Sequence, residues 1–273
     1  MESSEVTYQD QVPTRRPRRN PADVLWRFTK GIFPLILIGV AVYVVFNFPA
    51  LWTRLTFMVS SPDSASAATL PEVIRTGALP GGGNGTGDGQ GSVPCRGNIP
   101  YDSNGRPRAI CDNYIYIPRI RVAAPIVRPA STSEAVINDA LLRGVIKYPG
   151  TADPGERGNV FLTGHSSYYW WVDTDYRNVF ALVPELRVGD EIVVYHRGKR
   201  YLYRTHRTFE VSPNQTDVLK PTRESMVTLS TCVPVGTSYR RIIIRARQVS
   251  PSQSSNVAPS GSAETPARLP GVR

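Results

Sequence analysis

Between Gly31 and Leu51 the chain carries no charged side chain. A helix of about 20 apolar residues is what crosses the hydrocarbon core of a bilayer. The run therefore divides the chain into two sides that meet different surroundings. Arg15, Arg16, Arg18, Arg19, Arg27 and Lys30 all precede it. The positive-inside bias then puts the N-terminus in the cytoplasm and everything beyond Leu51 outside. Trp26 and Trp52 stand near the two ends, where indole rings favour the interface. A cleaved signal peptide is the rival reading, and Ser64-Ala65-Ser66-Ala67-Ala68 offers a small-residue cleavage site. The apolar run is too long and too far from that site to fit it. The expectation is a single-pass cell-membrane protein anchored by residues 31–51.

On either side of this run the composition changes sharply. Residues 1–24 are polar, arginine-rich and punctuated by prolines, the signature of a disordered tail. The transmembrane helix is placed at 25–52. Residues 53–112 turn to Ser, Ala and Gly, including Gly81-Gly82-Gly83-Asn84-Gly85, and read as a flexible extracytoplasmic linker. Residues 250–273 are again rich in Ser, Pro and Ala and read as a second disordered tail. The net charge is +10, which in a soluble protein would invite a nucleic-acid partner. Here part of the excess sits before the apolar run, and no helix-turn-helix or RNA-binding pattern accompanies it. No nucleic acid is expected. Of the three cysteines, Cys95 and Cys111 bracket a short loop and suit an extracytoplasmic disulfide, which leaves Cys232 as the odd thiol.

Residues 113–249 hold the folded domain. Tyr114–Ile117, Val122–Val127, Val160–Thr163, Glu191–His196, Arg200–Glu210, Met226–Leu229 and Arg241–Arg245 read as short strands. Arg197-Gly198-Lys199 is a hairpin turn. Ser131-Thr132-Ser133-Glu134 offers N-cap residues for a short amphipathic helix over Glu134–Arg143. Many short strands with frequent Pro and Gly argue for an all-β, closed barrel. His196 and His206 fall within strand patterns and are expected to face solvent. Metal-ligand spacing of the Cys-x-x-Cys or His-x-x-x-His kind is missing, so no metal or cofactor is expected.

The chemistry is concentrated in Thr228-Leu229-Ser230-Thr231-Cys232, where a strand is expected to give way to a loop. A thiolate is a strong nucleophile once a base or cation activates it. The next strand opens on Arg240 and Arg241, and a guanidinium can hold a developing oxyanion. Adjacent strand residues point to opposite faces, so only one of the two arginines can serve. A base is offered by His165, which ends the apolar strand Phe161-Leu162-Thr163-Gly164. Tyr168-Tyr169-Trp170-Trp171 just beyond it is either a wall of the site, a docking surface, or packing against the barrel.

Leu162-Thr163-Gly164-His165, then Thr228-Leu229-Ser230-Thr231-Cys232, then an arginine opening the following strand, resembles the sortase family. Ile115-Tyr116-Ile117-Pro118, Tyr148-Pro149-Gly150-Thr151 and Leu186-Arg187-Val188-Gly189-Asp190 resemble further family motifs in the same order. The resemblance implies a sortase-like closed β-barrel of about eight strands with one or two short helices, preceded by the transmembrane helix. It implies a cysteine transpeptidase with Cys232 as nucleophile, His165 as acid and base, and Arg241 as substrate or oxyanion holder, with Arg240 as the fallback. Its substrates would be surface proteins with a Leu-Pro-x-Thr-Gly-type sorting signal. The acceptor would be an amine of a cell-wall precursor or of a lysine. Upstream of the barrel there is no Asp-Pro-aromatic lid of the pilin-polymerising kind. An L,D-transpeptidase places its cysteine after Ser-His-Gly, whereas Leu229-Ser230-Thr231 stands here. A non-catalytic, membrane-anchored binding module with the same barrel is the alternative from another class.

Overall fold

The computed structural model describes residues 21–59, 112–261, 266 and 268–270. Residues 60–111 of the expected linker, with its Cys95–Cys111 disulfide, lie outside these residues. Helix α1 spans Pro21–Val59. Within it Lys30–Phe48 is long and apolar enough to cross a membrane. Ile32, Phe33, Leu35, Ile36, Leu37 and Ile38 are each half or more exposed. A helix apolar on every side needs either a protein core or lipid around it. The chain divides at Tyr43 and Val44 into two compact units. In the second, α1 continues past the expected end at Trp52. Phe57 packs on the barrel core, and Arg54 bonds Glu185 at 2.7 Å.

Eight strands close a barrel in the order β1-β2-β3-β4-β7-β8-β6-β5. They are β1 (Tyr114–Ile117), β2 (Val122–Val127), β3 (Val145–Lys147), β4 (Asn159–Thr163), β5 (Glu191–His196), β6 (Lys199–Val211), β7 (Met226–Val233) and β8 (Arg240–Ser250). Two neighbouring pairs, β2–β3 and β4–β7, are parallel. The β5–β6 hairpin turns on Arg197 (φ 51°) and Gly198 (φ 68°), two successive positive-φ residues as a type I′ turn requires. Helix α2 (Glu134–Leu141) starts where expected, ends two residues before Arg143, and buries Ile137, Ala140 and Leu141, one face of two turns.

Strand alternation builds two cores from the same strands. Val160, Leu162, Val227, Leu229, Ile242 and Ile244 fill the barrel interior. Phe161 and Ile243 point outward into a second cluster with Ile137, Leu141, Val218 and Leu219. Leu269 joins that outer cluster and is only 2% exposed. Its N–H donates to the Pro213 carbonyl at 2.7 Å. Asn256 is also buried, donating to Ser225 Oγ at 2.6 Å, and Val257 bridges to Glu156. Asn256, Val257 and Leu269 are thus tied to the barrel within the stretch that the sequence led us to expect as a structureless tail, although most of 251–261 is exposed. Composition signalled disorder there, while a few apolar and amide side chains found partners on the barrel.

The pole where β2, β3 and β5 end carries a buried polar knot. Asp153 bonds Arg128 Nη1 at 3.0 Å and Lys147 Nζ at 2.8 Å. Burial alone would raise the Asp153 carboxyl, but hydrogen bonds and charge from Arg128 and Lys147 bring it down to about 2. His196 is 5% exposed, contrary to the solvent-facing position expected. Its Nδ1 lies 2.9 Å from Asn113 Oδ1. Burial and the nearby Arg128 charge depress its pKa, so its 3.8 Å approach to Asp153 is not an ion pair at neutral pH.

Candidate active site

β3 runs antiparallel to β4, and β4 parallel to β7. Cys232, near the end of β7, thus lies at the opposite pole from the Asp153 knot. The strand continues through Cys232 to Val233, so the cysteine sits inside the strand and not at a strand-to-loop change. Along β7, Val227 and Leu229 face the interior. Thr228, Ser230 and Cys232 therefore face outward. In β4–β7 pairing, Thr163 lies opposite Ser230. Beyond the strand, Gly164 N–H reaches the Ser230 carbonyl at 3.4 Å, and Thr231 Oγ1 donates to the Gly164 carbonyl at 2.8 Å. Two residues on from Thr163 is His165, and two on from Ser230 is Cys232. The same register thus brings the imidazole and the thiol to one level and one face. Gly164 is required there, since a Cβ would meet Val179 and Phe180 side chains at 2.9–3.1 Å.

On the other side of β7, Cys232 pairs directly with Arg241 of β8. Arg241 has the parity of the outward Ile243 and is 1% exposed. Its Nη1 donates to the carbonyls of Ser238 at 3.0 Å and Arg240 at 3.2 Å, and its Nε to that of Pro270 at 3.1 Å. These neutral partners orient the guanidinium without cancelling its charge. Arg240 has the opposite parity and is engaged at the surface by Glu210 at 2.8 Å. His165, Cys232 and Arg241 thus converge from the ends of three adjacent strands, and Arg240 does not join them.

His165 is 2% exposed, its ring stacked on Tyr168 with centroids 4.6 Å apart. Its backbone carbonyl accepts from Phe180 N–H at 2.8 Å, which fixes the loop. Burial pushes the imidazole pKa down to about 4. At neutral pH the ring is an uncharged proton acceptor. Any proton it delivers to a leaving group must first come from elsewhere in the site. A cleft of ≈ 330 Å³ adjoins Cys232, lined by Ser167, Tyr168, Tyr169, Gly236, Thr237 and Ser238 together with Phe46 and Asn47 of α1. Gly236 adopts φ +83° with Asn47 against it, and its N–H is held by Ser167 Oγ at 3.0 Å. The aromatic loop divides its labour. Tyr168 supports the histidine, while Tyr169, Trp170 and Trp171 remain 43–55% exposed.

The depressed histidine makes a measurable claim. Its folded pKa of about 4 lies below the 6.5 of an ordinary imidazole. The unfolded chain therefore takes up a proton first as pH falls, and stability is lost from 6.5 down to the folded value. For this one group the loss reaches about 3 kcal/mol. Urea unfolding at about pH 7 and about pH 4.5 should show that loss in the wild type and a smaller one in His165→Asn. An equal loss in both would refute the buried, neutral assignment.

The loop from Tyr168 was offered by the sequence as one possible wall of the site and does line the cleft, whereas Gly236 and the Leu269–Pro270 segment were missed by sequence reasoning. The Gly-His and Thr-Cys strand ends carried the only local signal. A family model described as the sortase domain matches residues 115–249. Sortase D of Bacillus subtilis (strain 168) is 30% identical over 138 residues, covering 49% of this chain and 61% of that protein. Sortase A of Bacillus anthracis is 25% identical over 130 residues, covering 48% of this chain and 56% of that protein. Among solved structures, a Clostridium perfringens sortase D5 transpeptidase is 29% identical, with a TM-score of 0.42, over 50% of this chain and 77% of that one. The matches to the two Bacillus proteins thus span less than two thirds of either. With the family model laid over the same barrel that carries His165, Cys232 and Arg241, the chain belongs to the sortase family.

Proposed function

We propose that this chain is a membrane-anchored cysteine transpeptidase acting on surface proteins with a Leu-Pro-x-Thr-Gly-like sorting signal. The observation that carries the reading is the meeting of His165, Cys232 and Arg241 on one outward face at one barrel pole. Nucleophile, proton carrier and oxyanion donor are the three roles acyl transfer needs. Cys232 Sγ attacks the threonine carbonyl and passes its proton to His165. The tetrahedral oxyanion is held by Arg241. The Thr–Gly bond then breaks, and His165 gives its proton to the departing glycine amine, leaving a thioester on Cys232. An incoming amine attacks that thioester, loses a proton to His165, and leaves as a new amide. The proton returns to sulfur, so the site ends as it began. Family membership supports transpeptidation. The acceptor is an amine of a cell-wall precursor or of a lysine.

The domain plan in this reading is a cytoplasmic tail (1–24), a membrane helix around 25–52, an extracytoplasmic linker (53–112) and the catalytic barrel (113–249). The long apolar helix supports anchorage, and the basic residues before it support a cytoplasmic N-terminus. The test is cleavage of a quenched fluorescent Leu-Pro-x-Thr-Gly peptide library by the full chain in detergent, with and without an added amine. The expected result is cleavage at Thr–Gly and a transfer product that appears only with the amine. A folded chain that cleaves nothing and whose thiol resists alkylation would favour the non-catalytic binding module.

A further inference from the structure

Against Arg241, the cross-strand partner of Cys232, the chain holds a short piece of itself in the manner of a bound peptide. Leu269 is 2% exposed among Val211, Val218, Leu219 and Ile243. Its N–H donates to the Pro213 carbonyl at 2.7 Å. One residue on, the Pro270 carbonyl accepts from Arg241 Nε at 3.1 Å. One backbone donor, one backbone acceptor and one buried aliphatic side chain are the elements by which a groove reads an extended peptide. Arg241 is also the residue paired across the sheet with Cys232. A peptide that presents its carbonyl to that sulfur must pass the same guanidinium. From Leu269 the sequence reads Leu-Pro-Gly-Val-Arg. Against a Leu-Pro-x-Thr-Gly signal, Val272 stands for threonine, with its shape but not its hydroxyl, and Arg273 for glycine.

We infer that the slot between Arg241 and the Val218–Leu219 turn is a binding site for an aliphatic–proline pair, filled in the resting chain by its own Leu269–Pro270. The inference rests on the peptide-transfer reading of the site. The segment is a tethered competitor of the incoming peptide. Substrate binds only in the fraction of molecules that have released it, and apparent affinity falls by that fraction. A tether supplies a high effective concentration even for a weak segment.

The test is direct binding, so that it does not depend on turnover. In the full chain carrying Cys232→Ala, a fluorescein-labelled Leu-Pro-Ala-Thr-Gly peptide is titrated by anisotropy. Leu269→Asp should unseat the segment and tighten binding by about tenfold or more. A free Arg-Leu-Pro-Gly-Val-Arg peptide should then displace the label from that variant. Because Leu269 belongs to a buried cluster, a second measurement leaves it unchanged. With leucine methyls labelled in the Cys232→Ala chain, saturating peptide should move the Leu269 methyl resonances to those of a solvated leucine. Peptide that binds while the Leu269 methyls stay put would overturn the proposal, as would weaker or equal binding by a folded Leu269→Asp chain. Failure of transpeptidation itself would appear separately, as absent cleavage by the Cys232-containing chain.

Discussion

Cys232→Ala is expected to lower peptide cleavage by on the order of 10⁴-fold or more and to leave the barrel folded. The two halves of that expectation have different origins. Cys232 is buried at 6% exposure and faces outward, away from the interior core. Losing one sulfur there costs about 1 kcal/mol, comparable to removing one buried methyl group. The loss of activity has no such cushion, because the thioester cannot form without the sulfur. His165→Ala added to Cys232→Ala should cost little more, since groups acting as one unit are not additive. Cleavage and circular-dichroism melting of the single and double variants check both statements. Residual cleavage within about tenfold of wild type would remove Cys232 from the nucleophile's role.

The second large effect lies at the far pole and concerns stability alone. Asp153→Ala leaves Lys147 buried with its carboxylate gone, and should destabilise the fold by about 3–5 kcal/mol at neutral pH. The Lys147 side chain is 9% exposed, so water cannot take over the lost partner. Removing both charges together, as Asp153→Leu with Lys147→Met, should recover most of that loss, because a paired buried charge is worth little against apolar packing. The acid dependence carries the sign. With its folded pKa near 2 and an ordinary value of 3.8, Asp153 contributes its stabilisation above 3.8 and loses it as pH falls through about 2. The gap between wild type and Asp153→Ala should narrow by about 2 kcal/mol in that window, well below the window of His165. Denaturant midpoints across pH measure this, and a gap that does not narrow between about pH 5 and about pH 2 would contradict it.

Much of the barrel was readable because its cues are local. Arg197-Gly198 sets a hairpin by its own backbone angles, and β1, β2 and β5 are short runs rich in Val, Ile and Tyr. The parallel β4–β7 contact has no such cue, since the residues it joins lie far apart in the chain. β3, three residues long, is too short for any period to show. The choice between Arg240 and Arg241 illustrates the limit well. Parity told us that only one could face the cleft, and register against the outward Ile243 was needed to say which. His196 was misjudged because its neighbours, Asn113 and Asp153, arrive from the bend before β1 and the loop after β3. Leu269 was missed because one leucine in a Ser/Pro/Ala background carries no periodicity at all.

Thr163 and Ser230, the last strand pair before the site, are 67 residues apart in sequence. Between them comes the whole β5–β6 hairpin. Contacts of such long range form late, after the loop entropy has been overcome. The imidazole and thiol consequently become neighbours only when the barrel has closed. In the proposed function, a chain not yet folded holds an ordinary cysteine, and its reactivity arrives together with the completed barrel. The topology thus acts as a safety catch on the nucleophile, set during synthesis and released once by folding.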